Sequence, residues 1–219
     1  MSEPIETVVP TVKAYLEGFL SAPDELLARL EAEARAERIP IVPPETGAFL
    51  ELLTRATKPE RVLEVGTAIG YSTIRMARAL PPWGNLDTIE VDPEVADRAQ
   101  RSITEAGLQK VVRVYRGAAL ELIPALQNRY DMVFLDAAKT EYEGYLTLSL
   151  GLMPQGAVVV VDNLLWGGRV VAGDFEDDPQ WRREDTAALQ RFNEHFCNHP
   201  QLVAQILPVG DGIGVAVKV

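Results

Sequence analysis

The sequence predicts an α/β protein built on a doubly wound, mostly parallel sheet. Three observations point there. From Arg61 onward, short apolar runs alternate with helical stretches, the rhythm of successive β-α-β units. Two of the runs, MVFL at 132–135 and VVVV at 158–161, contain no polar residue, as strands covered on both faces do. The runs also finish alike: Gly66, Glu90, Gly117, Asp136 and Asp162 each stand at or near a strand's carboxyl end. In such sheets those ends form one rim, and ligands bind there.

The elements follow in order. Residues 11–20 and 24–38 read as two helices, the second with Leu26, Leu27 and Leu30 on one face and Asp24 at its start. IPIVPPE (39–45) interrupts with three prolines, and a helical pattern resumes over 46–56. RVLEVG (61–66) is a strand and 70–80 a helix. NLDTIEVD (85–92) is a strand, followed by a helix over 93–107 that opens on Pro93 and closes on Gly107. KVVRVYRG (110–117), YDMVFLD (130–136) and GAVVVVDN (156–163) are strands, with helices over 118–127 and 141–152 between them. An irregular Gly-rich segment fills 164–179. A helix over 180–198 buries Leu189, Phe192 and Phe196, and the chain ends in two strands joined through PVGDG.

At 219 residues the chain suits one well-filled core. The expected organisation is a single domain over 1–219. It comprises a helical extension (1–45), a central binding core (61–163), a lid-like loop (164–179), and a closing helix and hairpin (180–219). The net charge of −11 disfavours broad binding to nucleic acid. A lone cysteine, Cys197, forbids an internal disulfide and suits a reducing compartment; it reads as a small apolar residue on a helix. The N-terminus lacks the apolar stretch of a secretory signal, and no run is long enough to span a membrane. A cytoplasmic location is expected.

The rim residues carry the chemistry. In EVGTAIGYS (64–72), Gly66 and Gly70 let a ligand approach the backbone, and the following helix offers free N–H groups. Thr67 and Ala68 stand where a dinucleotide fingerprint needs its middle glycine, so a pyrophosphate fits poorly while an adenosine without phosphates fits. Glu90, at the end of the second strand, is placed to accept hydrogen bonds from a ribose diol. Asp136, Asp162 and Asn163 offer two carboxylates and an amide oxygen, a hard donor set suited to Mg²⁺, or to Mn²⁺ or Ca²⁺. The two histidines, His195 and His199, both fall on the late helix, so zinc is not expected. Lys139 is either a general base near such a cation or a lysine paired with Glu141 or Glu143.

VLEVGTAIGYST, IEVDPE, FLDAAK and VVVDNLLWGG, in this order and spacing, resemble the cation-dependent S-adenosylmethionine O-methyltransferases, the catechol and caffeoyl-CoA type with its small bacterial members. The resemblance implies a Rossmann-like, class I methyltransferase sheet of seven strands with an antiparallel last strand. It implies that Glu64, Gly66, Thr67, Tyr71, Ser72, Glu90 and Ala118 surround the cofactor, with Asp136 beside it. It also implies Asp136, Asp162 and Asn163 as metal ligands and Lys139 as the catalytic base. The expected acceptor is a small aromatic molecule with a vicinal diol, and the expected assembly a homodimer without membrane contact. Alternatives stay open. One is a hydroxylated uridine of tRNA, held by Arg35, Arg38, Arg169, Arg182 and Arg183. Others are a nicotinamide oxidoreductase and a non-catalytic cofactor-binding protein. For the loop at 164–179, a mobile lid with Trp166 as its wall competes with a loop packed on the core.

Overall fold

A computed structural model describes residues 9–172 and 178–219. Seven strands, β1 (Arg61–Val65), β2 (Asn85–Glu90), β3 (Val112–Arg116), β4 (Met132–Leu135), β5 (Val158–Val161), β6 (Leu202–Leu207) and β7 (Ile213–Lys218), form one sheet in the order β3-β2-β1-β4-β5-β7-β6. The first five pair in parallel; β7 runs antiparallel to both β5 and β6 and lies between them. The reversal of strand order falls between β1 and β4, where a ligand crevice is expected in this architecture.

Alternate residues of the central strands feed two cores. Leu63, Val65, Val133, Leu135, Val159 and Val161 pack with α6 (Ala119–Leu122), α7 (Tyr142–Leu150) and α9 (Gln180–Cys197). Val62, Met132, Phe134, Val158 and Val160 pack on the other face with α2 (Glu25–Glu37), α3 (Pro44–Thr57), α4 (Tyr71–Ala79) and α5 (Pro93–Glu105). Burial on both faces explains why MVFL and VVVV carry no polar residue. Local chemistry fixes the ends. Asp92 caps α5 by accepting from the N–H groups of Glu94 and Val95, and Asp24 caps α2 through Leu27.

The two N-terminal helices differ. α2 buries Leu26, Leu27, Leu30 and Ala34 in the second core, so it is an integral layer and not an appendage. α1 (Pro10–Glu17) buries no residue, and Tyr15 and Phe19 meet edge to face on its outside. In α3, Leu50 is fully buried while Leu52 is exposed. Cys197 ends α9 but is also exposed, because the apolar stripe of that helix passes through Leu189, Phe192 and Phe196 instead. The segment expected to be irregular is partly helical: a 3-10 turn covers Trp166–Gly168 and α8 covers Arg169–Ala172. The rest of the expected lid, residues 173–177, lies outside the described residues. No helix among the described residues is long and apolar enough to cross a membrane.

Candidate active site

The rim is built by register. Val65 pairs with Leu135, and Leu135 with Val161, so the next residues, Gly66, Asp136 and Asp162, come out level on three adjacent strands. The ladder continues one step beyond the strands, with the N–H of Asp136 donating to the carbonyl of Val65 (2.9 Å) and that of Asp162 to Leu135 (3.0 Å). Gly66 has φ +100°, and a Cβ there would sit 1.9 Å from the carbonyl oxygen of Asp136. Only glycine lets the first loop lie flush against the Asp136 loop at the switch point.

Asp136, Lys139, Asp162 and Asn163 line one cavity of about 670 Å³, together with Gly66, Glu90 and Ala118. Asp162 is almost fully buried. Burial and then the charge of Asp136 push its pKa up to about 8, although it accepts a hydrogen bond from the N–H of Asn163 (2.8 Å). Two carboxylates held this close resist joint ionisation unless a cation shares their charge. Asn163 follows with a left-handed φ of +63°, a conformation asparagine tolerates better than most residues. Among the described residues no three His, Cys, Asp or Glu side chains form a metal cluster, so any cation here would use the mixed carboxylate and amide set.

Lys139 pairs with neither Glu141 nor Glu143. Its ammonium donates to Asp136 Oδ1 (2.9 Å) and to the hydroxyl of Tyr142 (2.7 Å), which in turn donates to the carbonyl of Asp162 (3.2 Å). Burial works against the ammonium, but Asp136 and Tyr142 outweigh it and hold the pKa above the ordinary lysine range. The protein's own charges therefore favour the protonated form of Lys139.

On the other side, Glu90 accepts from the N–H of Ala68 (2.9 Å) and of Asp92 (3.1 Å), which fixes its carboxylate at the cavity wall. Thr67 lines the cavity but commits its hydroxyl to Thr88 (2.6 Å). Tyr71 lines it too, while its hydroxyl donates to Glu31 of α2 (2.6 Å) and receives Arg75 Nε. Ser72 and Ala118 are also in the wall.

Of the residues expected around the cofactor, Glu64 alone does not line the cavity. It is a β1 residue, fully buried, and it accepts hydrogen bonds from Ser72 (2.6 Å) and Thr73 at the start of α4. It positions the loop between them. Burial pushes its pKa up from 4.5 to about 7 against the pull of those hydroxyls. The folded state thus keeps a proton that the unfolded chain releases, and stability falls as pH rises between these values. The loss is at most about 3 kcal/mol and is complete above the folded pKa. Glu64→Gln should remove it, so the melting temperature of the variant, relative to the parent, should climb from pH 5 to pH 7.5. A difference that stays constant with pH would contradict this reading of Glu64.

Some residues in and around the wall gave no functional signal in the sequence. Pro40, Ile41, Val42 and Pro43 form one side, although IPIVPPE reads only as a helix break. Asp211, in the turn between β6 and β7, accepts from the N–H of Gly167 (2.6 Å), and its carbonyl accepts from Leu165. Because β7 runs antiparallel to β5, its start lies at the end of β5, so this turn stitches down the loop that follows Asn163. Trp166 is half-buried, lines the cavity and packs against the first core. Three of the five arginines considered for RNA converge on Asp178: Arg169 and Arg182 through its carboxylate, Arg183 through its carbonyl.

The sequence profile of a family described as O-methyltransferase matches residues 21–219. A catechol O-methyltransferase from Niastella koreensis is 39% identical, over 96% of this chain and 97% of that protein. A caffeoyl-CoA O-methyltransferase from Stellaria longipes is 30% identical, over 78% and 73%. The crystal structure of the O-methyltransferase TomG from Streptomyces achromogenes, in complex with SAM, superposes with a TM-score of 0.83 at 34% identity, covering 100% of this chain and 99% of that one.

Proposed function

The chain belongs to the O-methyltransferase family and is an S-adenosylmethionine-dependent enzyme, and from that premise we propose that it methylates one hydroxyl of a small aromatic vicinal diol with the help of a divalent cation. The observation that carries this reading is the level row of Gly66, Asp136 and Asp162, which sets a cofactor loop and a pair of carboxylates in one cavity with Lys139. The donor set fits a hard cation such as Mg²⁺. Asp162 is buried beside a second carboxylate, and Asn163 adds a neutral oxygen.

When bound, S-adenosylmethionine supplies an electrophilic methyl carbon, and Asp136, Asp162 and Asn163 would hold a cation that would supply Lewis acidity toward the acceptor. The residues of the chain do the rest. Glu90, anchored by two loop amides, holds the ribose of the cofactor, and Gly66 admits it against the backbone. Lys139 is the group placed to share the hydroxyl proton. Its readiness to do so is governed by Asp136, whose charge keeps the ammonium protonated, so any group that shares the charge of Asp136 loosens that hold. Holding the acceptor oxygen in line with the S–CH₃ bond is worth up to roughly 7–11 kcal/mol in favourable systems.

The test is a methyl-transfer assay with labelled cofactor over catechols, matched monophenols and undermodified tRNA. We expect a methyl ether on the diols, at least about a hundredfold less on monophenols, and none on tRNA. Transfer to tRNA with none to diols would replace this reading.

A further inference from the structure

We infer that the pocket selects its acceptor by charge and that Asp185 on α9 is the selecting residue. The inference rests on the reading of the site as one that methylates a vicinal diol. Among the described residues the cavity wall carries five carboxylates, Glu90, Asp136, Glu141, Asp162 and Asp185, against one ammonium, Lys139. Four of the five carboxylates have partners within the protein. Glu90 holds two loop amides, Asp136 holds Lys139, Asp162 accepts from Asn163, and Glu141 accepts from the hydroxyl of Tyr145.

Asp185 has no such partner. It makes no hydrogen bond or ion pair among the described residues, and it is only half-buried. α9 packs on the turn Lys139–Glu141, so it carries Asp185 over the acceptor side of the cavity, close enough for Lys139 to feel its charge. Lys139 cannot neutralise it, being engaged by Asp136 and Tyr142. The arginines at the neighbouring corner, Arg169 and Arg182, are drawn to Asp178. An acceptor whose ring sits at Asp136 and Lys139, with a tail leading out beneath α9, therefore meets an uncompensated negative charge. At an effective dielectric near that of a protein surface, one such charge at close range shifts binding by about tenfold or more between opposite tail charges. A coenzyme A thioester, with its phosphates, enters against this field. A free diol with a neutral or cationic tail does not.

The experiment uses the full chain with S-adenosylmethionine and Mg²⁺. It compares three catechols that differ only in the tail, aminoethyl, ethyl and carboxyethyl, and adds caffeoyl-CoA. We expect kcat/KM to favour the amine over the carboxylate by about tenfold or more, less at high salt, with caffeoyl-CoA the poorest. In Asp185→Asn that ratio should collapse toward unity through KM, and in Asp185→Lys it should invert. The ethyl compound, measured on the same preparations, is the internal reference, so a loss from misfolding cancels from the ratio. An unchanged ratio in both variants would overturn the role of Asp185, and efficient turnover of caffeoyl-CoA would overturn selection by charge. Absence of transfer to every diol would instead remove the functional reading, and this inference with it.

Discussion

Asp162→Asn is expected to cut methyl transfer by about a hundredfold to a thousandfold while leaving the protein folded and more stable at pH 8. The substitution keeps the oxygen that accepts from the N–H of Asn163, so the backbone bend after β5 survives. What it removes is a charge that the fold resists. Burial and the neighbouring Asp136 push the pKa of Asp162 up to about 8. An acid whose folded pKa lies above its unfolded value costs stability as pH rises between the two, so the advantage of the amide should be small near pH 4 and largest above pH 8. Activity lost with stability gained marks a residue kept for chemistry and not for folding. A variant that melts lower than the parent at pH 8, or that turns over normally, would contradict this assignment.

Gly66→Ala is expected to be severely damaging for a single added methyl group. At φ +100° an L-residue is strained, and the added Cβ would lie 1.9 Å from the carbonyl oxygen of Asp136, backbone that cannot rotate away. Strain and overpacking together predict a loss of about 3–5 kcal/mol, or roughly 10 °C in melting temperature for a chain of this size. Separation of the β1 and β4 ends should also weaken binding of S-adenosylmethionine beyond what the stability loss explains. Gly107→Ala is the matched control. It also has positive φ, +74°, but no atom lies within 4 Å of its added Cβ. Its cost should be about 1–2 kcal/mol without effect on the cofactor. Equal effects at the two positions would show that backbone strain alone, and not the contact with Asp136, sets the requirement for glycine.

The parallel core was legible because each of its strands carries its own local signal. MVFL and VVVV announce burial on both faces, and Pro93 and Gly107 mark the ends of α5 with little ambiguity. The row of rim residues was legible for the same reason, since a strand that stops on an aspartate is a local event. What could not be read depends on contacts distant in sequence. Glu64 is one polar residue inside a strand, and only the packing of α4 shows that its carboxylate turns to Ser72 and Thr73 and not to the cavity. Asp211 belongs to a hairpin turn by composition. Its grip on Gly167 exists because β7 inserts beside β5; the resemblance implied an antiparallel last strand but not its place between β5 and β6. Asp185 lies in the charged first turns of α9, before its apolar stripe, and nothing nearby in sequence shows that this end of the helix borders the cavity. The partner of Lys139 is a different case: Asp136, Glu141 and Glu143 all lie within four residues of it, and only the fold shows that the ammonium turns to Asp136.

Convergence of Asp136, Asp162 and Asn163 on one divalent ion is tested most directly by methyl transfer to a catechol in excess chelator, followed by titration of Mg²⁺. The rate should fall to background in chelator and return with Mg²⁺ in the parent protein, while Asp162→Asn keeps its deficit of about a hundredfold or more at every Mg²⁺ concentration that saturates the parent. An undiminished rate in excess chelator would show that these oxygens serve the reaction without a metal, and the proposed chemistry would be wrong.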